Sequence, residues 1–217
     1  MAEKSVTILG ATGLVGAECV RQFAQSREFD RVVAVTRRPL PSDVAQARVE
    51  THVVDFDRLD DAAEYFRVSH IMCALGTTIR KAGSQERFRR VDHDYPLAAA
   101  QIGLREGARH FLLVSALGAN AGSRIFYNRV KGEIENAIRA LAYRSVTIVR
   151  PSLLLGERSE ARLGESIAKR FAWIFPRRYK PVHAGDVARA LLSAAIEDRP
   201  GVSVIESADI VSRPTKG

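Results

Sequence analysis

Along this chain, short apolar runs alternate with longer stretches in which apolar residues recur every three or four positions. Val6–Leu9, Val32–Val35, Val49–Val54, His70–Leu75, Phe111–Ser115, Ser145–Val149 and Val202–Ile205 read as strands, being brief and apolar on consecutive positions. Between them lie helical patterns. The first runs through Leu14, Val15, Ala17 and Val20, and a short helix over Asp60–Phe66 is capped near Asp57. A long helix covers Gln85–Glu106, with Pro96 as a kink or a break. Arg124–Leu141 sets Val130, Ile134, Ala137, Ile138 and Leu141 on one face, and Asp186–Ile196 turns Val187, Ala190, Leu191 and Ala194 inward. Strands that are apolar throughout must be covered on both faces. The expected fold class is therefore α/β: a doubly wound, mostly parallel sheet of Rossmann type, in one domain spanning residues 1–217. Residues 151–185 form a small substrate-side or lid segment of that domain.

The first strand runs directly into GATGLVG, residues 10–16, where the first helix opens. Gly10 permits a tight turn, Gly13 lets backbone approach a pyrophosphate, and Gly16 lets the helix lie close to the strand. Ala11, Thr12, Leu14 and Val15 complete the loop, and the helix N-terminus offers N–H groups and the positive dipole end to phosphate. The spacing is G-x-x-G-x-x-G, so its weight comes from the strand before and the helix after.

Composition narrows the class. The 217 residues suffice for one substantial core, and 46% hydrophobic with 27% charged residues is ordinary for a globular domain. No apolar run is long enough to span a bilayer, and MAEKSVTILG does not read as a signal peptide because a strand starts almost at once. Cys19 and Cys73 fall in a helix and a strand, as small buried hydrophobes of a reducing compartment; the expected location is the cytoplasm. The net charge of +8 raises nucleic acid or an anionic membrane as partners. The basic residues are scattered, clustering only at Arg37–Arg38, Arg87–Arg90 and Arg177–Lys180, without any nucleic-acid-binding motif. Binding of a phosphate-rich cofactor explains them better than nucleic acid does.

In such a sheet, ligands sit at the carboxyl ends of the strands. An acid about 20 residues past the glycine turn would bind the ribose 2′-hydroxyl of NAD. Here Thr36, Arg37 and Arg38 stand in that place. Guanidinium groups bind a 2′-phosphate, so the cofactor expected is NADP(H) in preference to NAD(H), unless the arginines are only a solvated strand end. Asp55 ends the third strand, where it can reach the adenine amino group or cap the next helix. Leu75, Gly76 and Thr77 end the fourth.

Ser115 ends the fifth strand, and Tyr127 lies twelve residues on with Lys131 four beyond it, on the same helix face. Carbonyl reduction needs a proton donor beside the hydride donor. Tyr127 can serve, with Lys131 expected to lower its pKa and bind the cofactor ribose, while Ser115 hydrogen-bonds the substrate oxygen.

The chain resembles the short-chain dehydrogenase/reductase superfamily, in its compact atypical branch with the Tat-interacting-protein-30-like proteins. The resemblance rests on GATGLVG (10–16), VTRRP (35–39), CALGTT (73–78), FLLVSALGA (111–119), YNRVKGEIE (127–135), VRPSLLLGER (149–158) and PVHAGDVARAL (181–191). It implies an NADP(H)-binding Rossmann domain, a catalytic Ser115–Tyr127–Lys131 triad, and Pro151, Ser152 and Leu153 bordering the nicotinamide. Many members carry an Asn on helix four that relays protons; here the nearest match is Asp92, with His93 beside it. The substrate portion, about Gly156–Lys180, is too short for a nucleotide-sugar domain.

Within that portion, residues 165–180 combine apolar residues at helical spacing with flanking Lys169, Arg170, Arg177 and Arg178. They suit a helix packed on the domain, a lid over an apolar substrate, or a peripheral contact with a membrane or partner. Two functions stay open: an NADPH-dependent reductase of a small carbonyl compound, and a non-catalytic NADP(H)-binding regulator of a protein partner. Monomer and homodimer both fit.

Overall fold

The computed structural model describes residues 4–155 and 181–210. Seven parallel strands form one sheet: β1 (Ser5–Leu9), β2 (Arg31–Thr36), β3 (Val49–Val53), β4 (His70–Cys73), β5 (His110–Val114), β6 (Ser145–Arg150) and β9 (Gly201–Glu206). Their order is β3-β2-β1-β4-β5-β6-β9, with the topological reversal between β1 and β4. The apposed carboxyl ends of β1 and β4 therefore define the crevice. A second, two-stranded piece pairs β7 (Leu154–Leu155) with β8 (Val182–His183) and so brings the two sides of segment 156–180 together. That segment, with the expected lid or contact helix over 165–180, lies outside the described residues.

Alternation along each strand feeds two cores. Val6, Ile8, Val32, Ala34, Met72 and Leu112 pack under α1 (Leu14–Gln25) and α6 (Ala184–Glu197). Leu9, Val33, Val35, Ile71, Phe111 and Leu113 pack beneath the opposite layer: a 3₁₀ segment over Phe56–Phe66, α4 (Tyr95–Arg105) and α5 (Phe126–Arg139). Burial on both faces is the reason the strands read as continuous apolar runs. Among the described residues no helix is long and apolar enough to cross a membrane. Cys19 and Cys73 are free and buried.

Two helices differ from expectation. The segment before β4 begins at Phe56, four positions early, because Asp55 Oδ1 accepts the Asp57 N–H at 2.9 Å and caps it. Asp55 thus fills the capping role through Oδ1.

The expected long helix over 85–106 is three pieces, preceded by the short α2 (Ile79–Ala82): α3 (Gln85–Arg89), a π turn (Arg90–Asp94) and α4. Pro96 sits in the first turn of α4, where its missing N–H costs least. A proline ring clashes with the carbonyl four residues earlier, which here belongs to Asp92. The backbone widens at that point, and Asp92 is left 1% exposed.

Candidate active site

The glycine turn meets the geometric demands placed on it. Gly10 has φ +82°, and a Cβ there would lie 2.5 Å from the Ala74 carbonyl carbon. A Cβ on Gly16 would lie 2.0 Å from the Gly10 oxygen, so this glycine permits the helix to start against the turn. Gly13 differs: a Cβ there would meet only the Gly10 oxygen, at 3.2 Å, so its open side faces free space. Gly13 is also the N-cap of α1, with no side-chain cap and no acid in the first turn. Ala11 is buried, while Thr12, Leu14 and Val15 continue into the helix. The loop fits a pyrophosphate: bare backbone, an open face and a positive helix end.

Arg37 and Arg38 follow β2 and are exposed. Arg37 places its guanidinium carbon 6.0 Å from the Phe56 ring centroid, and neither arginine has an ion pair among the described residues. Leu75, Gly76 and Thr77 follow β4, across the crevice from the glycine turn.

Lys131, on α5, is 4% exposed and its Nζ lies 2.8 Å from Asp92 Oδ1. The other Asp92 oxygen accepts the Thr77 N–H at 2.8 Å. Burial opposes the Lys131 charge, but Asp92 and Tyr127 outweigh it, and its pKa is raised. Burial raises the Asp92 pKa, with Lys131 and the Thr77 amide opposing. A Cβ on Gly76 would stand 3.5 Å from Asp92 Oδ1 and 3.8 Å from Lys131 Nζ, so glycine keeps that side of the ion pair open.

Tyr127 is half-buried, with its ring centroid 5.5 Å from that of Phe88. Lys131 lowers its pKa as expected, but the net shift is upward. Burial raises it most, Asp92 adds to the rise, and Lys131 offsets them only in part.

Ser115, 5% exposed, also departs from expectation. Its hydroxyl donates to Glu135 Oε1 at 2.6 Å. Glu135, 2% exposed, accepts two further bonds from Arg150, Nε at 3.0 Å and Nη2 at 2.6 Å. Glu135, held by these two Arg150 bonds, accepts the serine hydrogen bond. Ser115 then offers lone pairs, not a donor, to a substrate oxygen. Arg150 also donates to Glu206 at 2.9 Å, which ties β6 to β9.

Glu135 was a site residue the motif reading missed. It lies four residues past Lys131 and eight past Tyr127, so the three share a stripe along α5, and Y-x-x-x-K-x-x-x-E was legible as such. Beyond β6, Pro151 is buried and its carbonyl accepts the Leu117 N–H at 2.9 Å, while Ser152 N–H donates to Ser207 Oγ at 3.2 Å. Leu153 is 59% exposed. Ser207 opens α7 (Ser207–Ile210).

One cluster of metal-ligand type occurs among the described residues. His70, His110 and Asp198 bring one ligand atom each within 4.8 Å of one another. His70 and His110 open β4 and β5, so the cluster lies at the amino edge of the sheet, opposite the crevice. Asp198 Oδ2 accepts from Arg109 at 2.9 Å and Arg144 at 3.0 Å. His70 Nε2 lies 3.1 Å from the Ala195 carbonyl, and His110 Nε2 lies 3.0 Å from Thr147 Oγ1. The two arginines take one Asp198 oxygen, and His110 Nδ1 lies 3.1 Å from the other.

A family model described as NAD(P)H-binding matches residues 10–199. Protein HTATIP2 of Rattus norvegicus is 36% identical over 206 residues, covering 93% of this chain and 85% of that protein. Protein FMP52, mitochondrial, of Eremothecium gossypii is 35% identical over 214 residues, covering 94% and 95% respectively. Among solved structures, MoeE5 in complex with UDP-glucuronic acid and NAD superposes with a TM-score of 0.72 at 18% identity, over 94% of this chain and 76% of that one. The crystal structure of gox2181 gives 0.71 at 15% identity, over 97% of each chain. At these identities the structures share the fold.

Proposed function

The chain belongs to the NAD(P)H-binding family, within the short-chain dehydrogenase/reductase superfamily, and on that premise we propose that it is an NADP(H)-dependent reductase of a small carbonyl compound. The observation that carries the proposal is Tyr127. It is half-buried on α5, within electrostatic reach of a charged Lys131, and its burial keeps the phenol protonated through the neutral range. A protonated phenol in that position is a proton donor to a carbonyl oxygen.

In this reading Gly10–Gly16 and the first turn of α1 hold the pyrophosphate, and Leu75, Gly76, Thr77 and Pro151–Leu153 line the rest of the dinucleotide. The bound cofactor supplies hydride to the carbonyl carbon. Tyr127 donates its proton to the carbonyl oxygen, and Lys131 stabilises the phenolate left behind. To orient the carbonyl oxygen, Ser115 would turn its hydroxyl hydrogen from Glu135 to the substrate. Exposed Arg37 and Arg38, lacking acidic partners among the described residues, support recognition of a 2′-phosphate and hence NADP(H) over NAD(H).

Tyr127→Phe should abolish NADPH oxidation across a panel of aldehydes and ketones while leaving NADPH binding nearly intact. Unchanged turnover would sink the proton-donor role. NADPH at about 100 times its Kd should stabilise the protein by about 2.7 kcal/mol against unfolding. Equal stabilisation by NADH at the same concentration would remove the argument from Arg37 and Arg38. The committed serine proton favours a second reading, a non-catalytic NADP(H)-binding regulator. NADPH binding combined with silence across the whole carbonyl panel would select it.

A further inference from the structure

We propose that Asp92 is a positioning residue of this site, which fixes Lys131 beneath the cofactor crevice and offsets part of the lysine charge felt by Tyr127. The inference rests on the reading of Tyr127 as the proton donor, and it assigns a task to a residue that departs from the superfamily's asparagine.

The geometry starts in the backbone. Pro96 and the π turn over Arg90–Asp94 push Asp92 into the interior, where its side chain is 0% exposed. Insertions of this kind recur at functional sites because they re-aim a single side chain. Asp92 then bridges two elements that come from different parts of the chain. One oxygen lies 2.8 Å from Lys131 Nζ on α5. The other accepts the amide of Thr77, in the loop after β4 that borders the crevice. Lys131 has a long stem with many rotamers, and an ammonium with a fixed carboxylate partner loses that freedom before any ligand arrives.

The charge consequence follows from the same contact. Lys131, four residues from Tyr127 on one helix face, pulls towards the phenolate, against the larger effect of burial. Asp92 returns one negative charge to the same small volume and cancels much of that pull. Among the described residues, the charged groups that reach Tyr127 are these two, from α5 and the π turn, and Phe88 of α3 adds only an apolar face. Arg129 and Glu133 of α5 pair with each other at 4.0 Å, and Glu133 pairs with Arg89 of α3 at 2.5 Å. Glu135 is taken by Arg150 and Ser115. Cys73 of β4 faces Lys131 as a neutral thiol, its pKa pushed up to about 12 by burial. An amide at position 92 could hold Lys131 as a dipole but could not offset its charge.

Asp92→Asn separates these roles, because the shape is kept and the charge is lost. The direct readout is the titration of the Tyr127 ring carbon bearing the hydroxyl, followed by NMR in protein labelled with ¹³C-tyrosine and without substrate; Tyr127→Phe identifies the resonance. The midpoint should fall in Asp92→Asn by about one pH unit or more, the usual effect of an unopposed cation at this range. The alkaline limb of the pH–rate profile should move with it, and NADPH should bind about tenfold more weakly as Lys131 loses its anchor. In Asp92→Asn/Lys131→Met both charges are gone, and the midpoint should return towards the wild-type value. This double variant also serves should the single one fail to fold. An unmoved Tyr127 midpoint in Asp92→Asn, or a double variant that shifts in the same way as Lys131→Met alone, overturns the proposal. A shifted midpoint in a protein that reduces no carbonyl leaves the role of Asp92 standing and removes the reductase reading instead.

Discussion

Lowering the pH from 7.5 to 4.5 should destabilise this protein through two histidines far from the crevice. His70 is 0% and His110 1% exposed, with ring centroids 5.3 Å apart under α6. Burial dominates both, and each pKa falls from 6.5 to about 4. The proximity of each positive charge to the other adds to the effect at His70, while Asp198 opposes it at both. The unfolded chain takes up protons first, so stability is full above about pH 6.5, falls as pH drops towards 4, and levels below that. At 1.36 kcal/mol per pKa unit, one ring is worth about 3 kcal/mol across the window, and both rings up to about twice that. A domain of this kind has roughly 5–15 kcal/mol in total, so the loss should be plain in the unfolding curves. Urea unfolding at pH 7.5, 6.5, 5.5 and 4.5, with linear extrapolation at each, measures it. His110→Gln retains a side chain able to bond Thr147 and Asp198 but cannot titrate, and should flatten the pH dependence by about 3 kcal/mol. Wild-type stability that is equal at pH 4.5 and 7.5, or a variant with the wild-type slope, would refute the reasoning.

Three further variants test the packing and the buried polar network. Gly132→Ala adds a methyl group 2.1 Å from the Ala121 nitrogen and 2.2 Å from the Asn120 carbonyl carbon, both backbone atoms that cannot swing away. The clash should outweigh the roughly 1 kcal/mol gain in helix propensity and leave a net loss of about 1–3 kcal/mol, with turnover falling because α5 carries Tyr127 and Lys131. Gly185→Ala meets nothing closer than Glu18 Oε2 at 3.7 Å, so it should be neutral or stabilising by up to about 1 kcal/mol; chemical denaturation of the pair tests the contrast. Glu135→Gln leaves Arg150 without its bidentate partner and weakens the bond to Ser115, at a cost of about 1–3 kcal/mol in denaturant unfolding. A variant as stable as wild type would mean that this buried network contributes little.

Strands, helices and the glycine turn were legible because each is written in contiguous residues. A strand apolar on both faces declares its own burial, and Gly10, Gly13 and Gly16 stand within seven positions of one another on one turn. The same locality brought out Tyr127 and Lys131, and Pro96 marked the break in the long helical pattern, although the π turn before it was not evident.

What only the tertiary structure decided is the state of charge and hydrogen bonding at the site. Asp92 meets Lys131 from 39 residues away, and Ser115 donates its hydrogen bond to Glu135, which Arg150 of a neighbouring strand clamps. His70, His110 and Asp198 converge from three separate elements at the sheet's other edge. Periodicity says which face of an element is buried, but not which element lies against it. The pKa of Tyr127 depends on that second fact, since burial and a carboxylate from the π turn overrule the lysine one helical turn away.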